Sequence, residues 1–91
     1  MRNELMPADP ATHDLRRLDL RGLKCPLPVL KTARLLRDLQ PGSRVEVFAT
    51  DPMSAIDIPH FCRENGHRLI RQVREGDYLV FTLEAGEKQA P

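Results

Sequence analysis

Tryptophan is absent from this chain of 91 residues, and one tyrosine and three phenylalanines are its only aromatic residues. Aliphatic side chains must therefore build the core, and a platform for stacking nucleic-acid bases is missing. Cysteine is scarce too. Two residues, Cys25 and Cys62, cannot form a dense disulfide framework. Together with three histidines (His13, His60 and His67) they show no zinc-ligand spacing, so neither a metal nor another cofactor is expected. No apolar run approaches the roughly 20 residues needed to span a bilayer. Residues 1–7 lack the apolar stretch of a signal peptide. The expectation is a cytoplasmic protein with reduced thiols and no membrane partner. A net charge of +1 gives no general attraction to nucleic acid either.

What is present suits one small domain: 41% of the residues are apolar. A chain this short buries only about 60% of its unfolded surface, so modest stability is expected. Residues 1–14 are polar, carry Pro7 and Pro10, and show no period. They read as a flexible N-terminal extension, and residues 85–91 as a loose C-terminal tail. Residues 15–84 form the domain, expected as a monomer.

Within it, residues 17–20 alternate polar and apolar, as a short half-buried strand does. Over residues 28–39 the pattern turns helical, with Val29, Ala33 and Leu36 on one face, flanked by Leu35 and Leu39. Pro41 and Gly42 stop that helix. Val45, Val47 and Ala49 then alternate with Arg44, Glu46 and Phe48, the pattern of a strand. Asp51 reads as the N-cap and Pro52 as the first residue of a second helix, with Ala55, Ile58 and Cys62 on its apolar face. Pro59 inside it predicts a kink or break near Ala55. Asn65 and Gly66 close it, which leaves His67 exposed. Residues 68–74 and 78–83 form a hairpin around Glu75, Gly76 and Asp77. The order is β-α-β-α-β-β. Half-wet strands require both helices on one face, giving an α/β two-layer sandwich with a mixed four-stranded sheet.

The most informative residues are Cys25, Pro26, Leu27 and Pro28. The two prolines lack N–H donors and fix φ near −65°, which suits the first turn of a helix. Cys25 then sits at or just before a helix N-terminus, where free amides and the dipole favour an anionic sulfur. With Arg21 and Lys24 nearby, its thiol is expected below the usual value of about 8.5. A small buried hydrophobe is the plainer reading, but two prolines shaping the turn make a costly geometry for mere filling. Lys24, Arg21, Lys31 and Arg34 read as a basic apron for the sulfur and for acidic partner surfaces, or else as a solvated helix face. Asp51, besides capping, is a candidate partner contact. Cys62, on an apolar stripe, reads as core.

The chemistry open to Cys25 is narrow. A dithiol of the thioredoxin kind needs a second cysteine at position 28, which is Pro28. A hydrolase needs a base, and no histidine lies near Cys25 in sequence. A lone thiol suits covalent carriage of a group between partners.

The run from Leu18 to Pro28, with Cys-Pro-x-Pro after a short strand and a glycine, resembles the start of the TusA/SirA-type sulfur carriers. A second stretch fits in order and spacing: Asp51 and Pro52, then Asp57 to Cys62, then Gly66 and His67. The likeness covers about residues 15–83. It implies the same sandwich, with Cys25 carrying sulfur as a persulfide and Arg21, Gly22, Lys24, Pro26 and Pro28 supporting it. It implies a cysteine desulfurase or rhodanese-like donor and a downstream acceptor protein, in a sulfurtransferase role such as 2-thiouridine synthesis in tRNA. The alternative is a non-covalent RNA- or protein-binding regulatory module of the same fold. For it, Arg68, Arg71 and Arg74 are spaced so that Arg71 faces away from the other two, and no single basic stripe forms.

Overall fold

Alternation along one strand decides which side of the sheet is covered: Val45, Val47 and Ala49 are wholly buried, while Arg44, Glu46 and Phe48 between them are half-exposed. The computed structural model describes residues 15–87. Its elements are β1 (Leu15–Asp19), α1 (Leu27–Asp38), β2 (Arg44–Ala49), α2 (Ser54–Asn65), β3 (Arg68–Glu75) and β4 (Tyr78–Glu84). The sheet order is β1-β2-β4-β3, with β1 parallel to β2 and the other pairings antiparallel. Leu79, Phe81 and Leu83 of β4 join the buried residues of β2, and Leu36, Ile58 and Cys62 descend on them from the two helices. This is the expected two-layer sandwich. On its uncovered face Arg17 pairs with Glu46 at 3.1 Å, and the rings of Phe48 and Tyr78 lie 5.9 Å apart.

The inward stripe of α1 is displaced from the expected one. Pro28, Thr32 and Leu36 are buried, and Val29 and Ala33 flank them. Thr32 is accepted inside because its hydroxyl donates to the Pro28 carbonyl at 2.8 Å. A polar residue satisfied by its own helix behaves as an apolar one.

The second helix begins at Ser54, later than expected, and runs unbroken through Pro59. Its approach is a tight turn: the amides of Ser54, Ala55 and Ile56 donate to the carbonyls of Asp51, Pro52 and Met53 at 2.9–3.1 Å. The carbonyl that the proline ring crowds, that of Ala55, thus belongs to an opening turn carried by bonds of the shorter kind. Gly66, at φ 75°, ends the helix as expected and donates to the Cys62 carbonyl.

Three expectations about the last third need correction. A bulge between Leu69 and Arg71 shifts the register, so Arg68 lies opposite Glu84, Arg71 opposite Thr82, and Arg74 opposite Leu79. Arg68 and Arg71 therefore share the uncovered face and Arg74 does not, because one inserted residue reverses the parity. The expected tail starts too early as well. Ala85 is 3% exposed, its N–H donates to the Ser43 carbonyl, and its carbonyl accepts the Gly42 N–H, both at 2.8 Å. Gly86 follows into the fold, donating to Nδ1 of His67 at 2.9 Å. His67 is thereby half-buried, 5.4 Å from the Phe61 ring, and not exposed. The expectations for residues 1–14 and 88–91 lie outside the described residues. Among those described, no helix is long and apolar enough to cross a membrane.

Candidate functional site

Because β1 and β2 are parallel neighbours, the loops leaving their C-terminal ends emerge side by side, each leading into a helix. That topology brings Cys25 and Asp51 together across 26 positions of sequence. The first loop is pinned along its length. Leu20 donates to the Phe48 carbonyl at 2.7 Å, and Gly22 donates to Oγ1 of Thr50 at 2.8 Å. Gly22 has φ 89°, a region that side chains rarely adopt, so glycine is required at this corner. The Cys25–Pro26 peptide is cis. The Cys25 N–H donates to Oδ2 of Asp51, whose Oδ1 accepts the Met53 N–H at 3.0 Å. One carboxylate thus joins both loops. The amides of Cys25 and then Met53 hold its carboxyl below the usual range, burial opposes them, and the charge of Lys24 adds to the lowering.

Cys25 is exposed, and its sulfur faces acids. Its Sγ donates to Oδ2 of Asp57, in the first turn of α2, at 3.2 Å. That hydrogen bond raises the thiol above its ordinary value, and desolvation and the charges of Asp57 and Asp51 push the same way. The expectation of a lowered thiol is therefore reversed. Two physical reasons account for it. Pro26 and Pro28 have no N–H, and Leu27 spends its own on the Lys24 carbonyl at 2.8 Å, so the helix end offers the sulfur little. The basic apron, in turn, does not converge. Arg21 makes two bonds of 2.8 Å to Asp19, and its guanidinium lies 5.0 Å from the Tyr78 ring centre and 5.8 Å from that of Phe48. Lys24 is exposed beside Cys25, while Lys31 and Arg34 lie farther along the exposed flank of α1. Asp57 is the residue that sequence reasoning missed. Its available signals were its place as an acid in the opening turn of the second helix and within the second stretch of family likeness.

Leu27, Leu30, Met53 and Ile56 are exposed in or beside the opening turns of the two helices. A shallow depression lined by Gly22, Lys24, Thr50, Asp51 and Pro52 lies alongside. A more enclosed pocket sits at the opposite ends of the helices, among Ala33, Arg37, Phe61 and His67, away from this chemistry. Cys62 is 1% exposed, packed in the core as expected, and burial pushes its thiol up to about 11. Among the described residues no three His, Cys, Asp or Glu side chains cluster to hold a metal. Of its two thiols the chain therefore exposes one, where two loops meet, and buries the other.

The chain is similar to known proteins over most of its described length. The family model described as Sulfurtransferase TusA matches residues 16–85. The sulfur carrier protein TusA of Pseudomonas paraeruginosa is 49% identical over 65 residues, covering 70% of this chain and 82% of its own. YrkI of Bacillus subtilis is 38% identical over 69 residues, covering 76% and 92% respectively. A crystal structure of a SirA-like protein from Desulfitobacterium hafniense has the same fold, with a TM-score of 0.70. Its identity is 23%, over 79% of this chain and 99% of that one. With the motif, the fold and a match over nearly all the described residues in agreement, the chain belongs to the TusA family of sulfur carriers.

Proposed function

We propose that this protein carries sulfur as a persulfide on Cys25, taken from a cysteine desulfurase or rhodanese-type donor and passed to a thiol of an acceptor protein. The observation that carries the reading is the contrast between the two cysteines: Cys25 is exposed where two loops meet, and Cys62 is buried. In the loading step the Cys25 sulfur attacks the terminal sulfur of the donor persulfide, and the donor's S–S bond breaks. The donor sulfur leaves as a thiolate and takes up the proton that Cys25 loses. One persulfide and one thiol enter, one of each leaves, and nothing is oxidised overall. Unloading repeats the step with Cys25 as donor. The chain is a sulfurtransferase in this sense, and 2-thiouridine in tRNA is the destination we assign to the sulfur. Non-covalent RNA binding by the uncovered face has less support, since Arg17, Arg21 and Arg68 are already paired with Glu46, Asp19 and Glu84.

Intact mass after incubation with a cysteine desulfurase and cysteine tests the proposal. Loading adds about 32 Da, and reductant removes it. Cys25→Ser abolishes the adduct and Cys62→Ser keeps it. Loading that follows Cys62 overturns the assignment.

A further inference from the structure

The transfer chemistry above leaves Asp57 without a task, although its carboxylate is the group that the Cys25 sulfur touches. We propose that Asp57 is the positioning residue of this thiol: it holds the unloaded Cys25 sulfur in its protonated form, turned toward α2, until the donor's leaving group draws the proton away. This inference rests on the sulfur-carrier reading for its purpose, while the hydrogen bond stands without it.

The geometry fixes the thiol at both ends. Asp51 holds the Cys25 main chain through its N–H, and Asp57 holds the side chain through Sγ at 3.2 Å. A thiol can donate that second bond and a thiolate cannot. The charged groups facing the sulfur are Asp57 from α2 and Asp51 from the loop before it, with Lys24 next in the chain. Both acids disfavour an anion, and Asp57 is the nearer. Its half-buried place in the first turn of a packed helix keeps it there.

The consequence separates empty from loaded carrier. An empty carrier keeps its proton, and stray electrophiles and oxidants find little thiolate to attack. In the loaded form Sγ has no proton left to donate to Asp57, and the reactive terminal sulfur is a different atom, one S–S bond of about 2 Å from it. Asp57 thus quiets the empty site and leaves the cargo available.

The test is the pH profile of iodoacetamide alkylation in the full chain carrying Cys62→Ser, read by intact mass from about pH 6 to about pH 10. With Asp57 present, the midpoint lies above the value of about 8.5 for a free cysteine. Asp57→Asn moves it to lower pH and speeds alkylation near pH 7 several-fold, whereas Asp57→Glu, which keeps the charge, retains the high midpoint. Circular dichroism confirms that each variant is folded. A folded Asp57→Asn protein whose midpoint is unchanged or higher overturns the proposal. So does a midpoint at or below that of free cysteine with Asp57 present, a measurement that needs no variant at this position. Sulfur loading measured alongside separates the two readings. A midpoint shift without loading removes sulfur carriage and keeps the role of Asp57, and loading without a shift does the reverse.

Discussion

His67 accepts the Gly86 N–H at its Nδ1 across 19 residues of sequence, at 2.9 Å, and can do so only while that nitrogen is unprotonated. Burial lowers its pKa from the ordinary 6.5. Between the folded value and 6.5 the unfolded chain binds a proton that the folded chain does not. The stability from this group is therefore complete above 6.5 and is lost as the pH falls through the folded value. Thermal melts from about pH 7.5 down to about pH 5.5 should show a steeper decline for the native sequence than for His67→Gln. Parallel declines rule the contact out as a pH-sensitive one.

The same segment predicts a steric effect. A side chain at Gly86 would meet the Gly66 carbonyl, which is backbone and cannot swing aside. Gly86→Ala should destabilise by about 1–3 kcal/mol, measured by urea unfolding. A chain ending at Glu84 should melt well below one ending at Glu87, because the first loses the paired Ala85. Equal midpoints return residues 85–87 to the status of a tail.

Asp51 accepts amides from both site loops. Asp51→Ala should cost about 1–3 kcal/mol, as for a lost cap that also leaves an amide unpaired. Its folded pKa is depressed below 3.8, so the contribution is present above that value and disappears as the pH falls through the folded one. Acid titration of Asp51→Asn, followed by circular dichroism, should show a flatter loss of stability below about pH 4 than the native sequence.

Two phenylalanines on opposite faces should differ sharply. Phe81 is wholly buried in the core, and Phe48 is half-exposed under Arg21. Phe81→Ala should cost about 3–5 kcal/mol, enough to unfold a domain of this size under ordinary conditions. Phe48→Ala should cost about 1 kcal/mol and leave the protein folded. Similar losses for the two mean that the uncovered face carries more of the packing than its exposure indicates.

Much of the fold was legible from residues alone, for a physical reason. Val45, Val47 and Ala49, then Leu79, Phe81 and Leu83, alternate as strands with one buried face must, and Gly66 closes its helix as glycine does. Thr32 was illegible as core because its polarity cancels only once the helix supplies the Pro28 carbonyl. The bulge beyond Leu69 reversed the faces of Arg71 and Arg74, and no periodicity announces an inserted residue. At the site, Cys25 was conspicuous through its prolines, but its electrostatics were not. The meeting of Cys25 with Asp57, 32 positions apart, depends on two loops rising from adjacent parallel strands. Arg21, four positions before the thiol in the chain, was drawn instead to Asp19 and two rings.

The burial of Cys62 has a consequence for how long cargo survives. Many proteins with two thiols can discharge a persulfide by themselves: the second thiol closes a disulfide and hydrogen sulfide escapes. Here the second thiol is 1% exposed and held protonated by its surroundings, so that internal leak is closed while the fold holds. Under the proposed function, the waiting time of a sulfur atom on this protein is set by collisions with other thiols in solution and on partners. The protein's own chemistry supplies no clock.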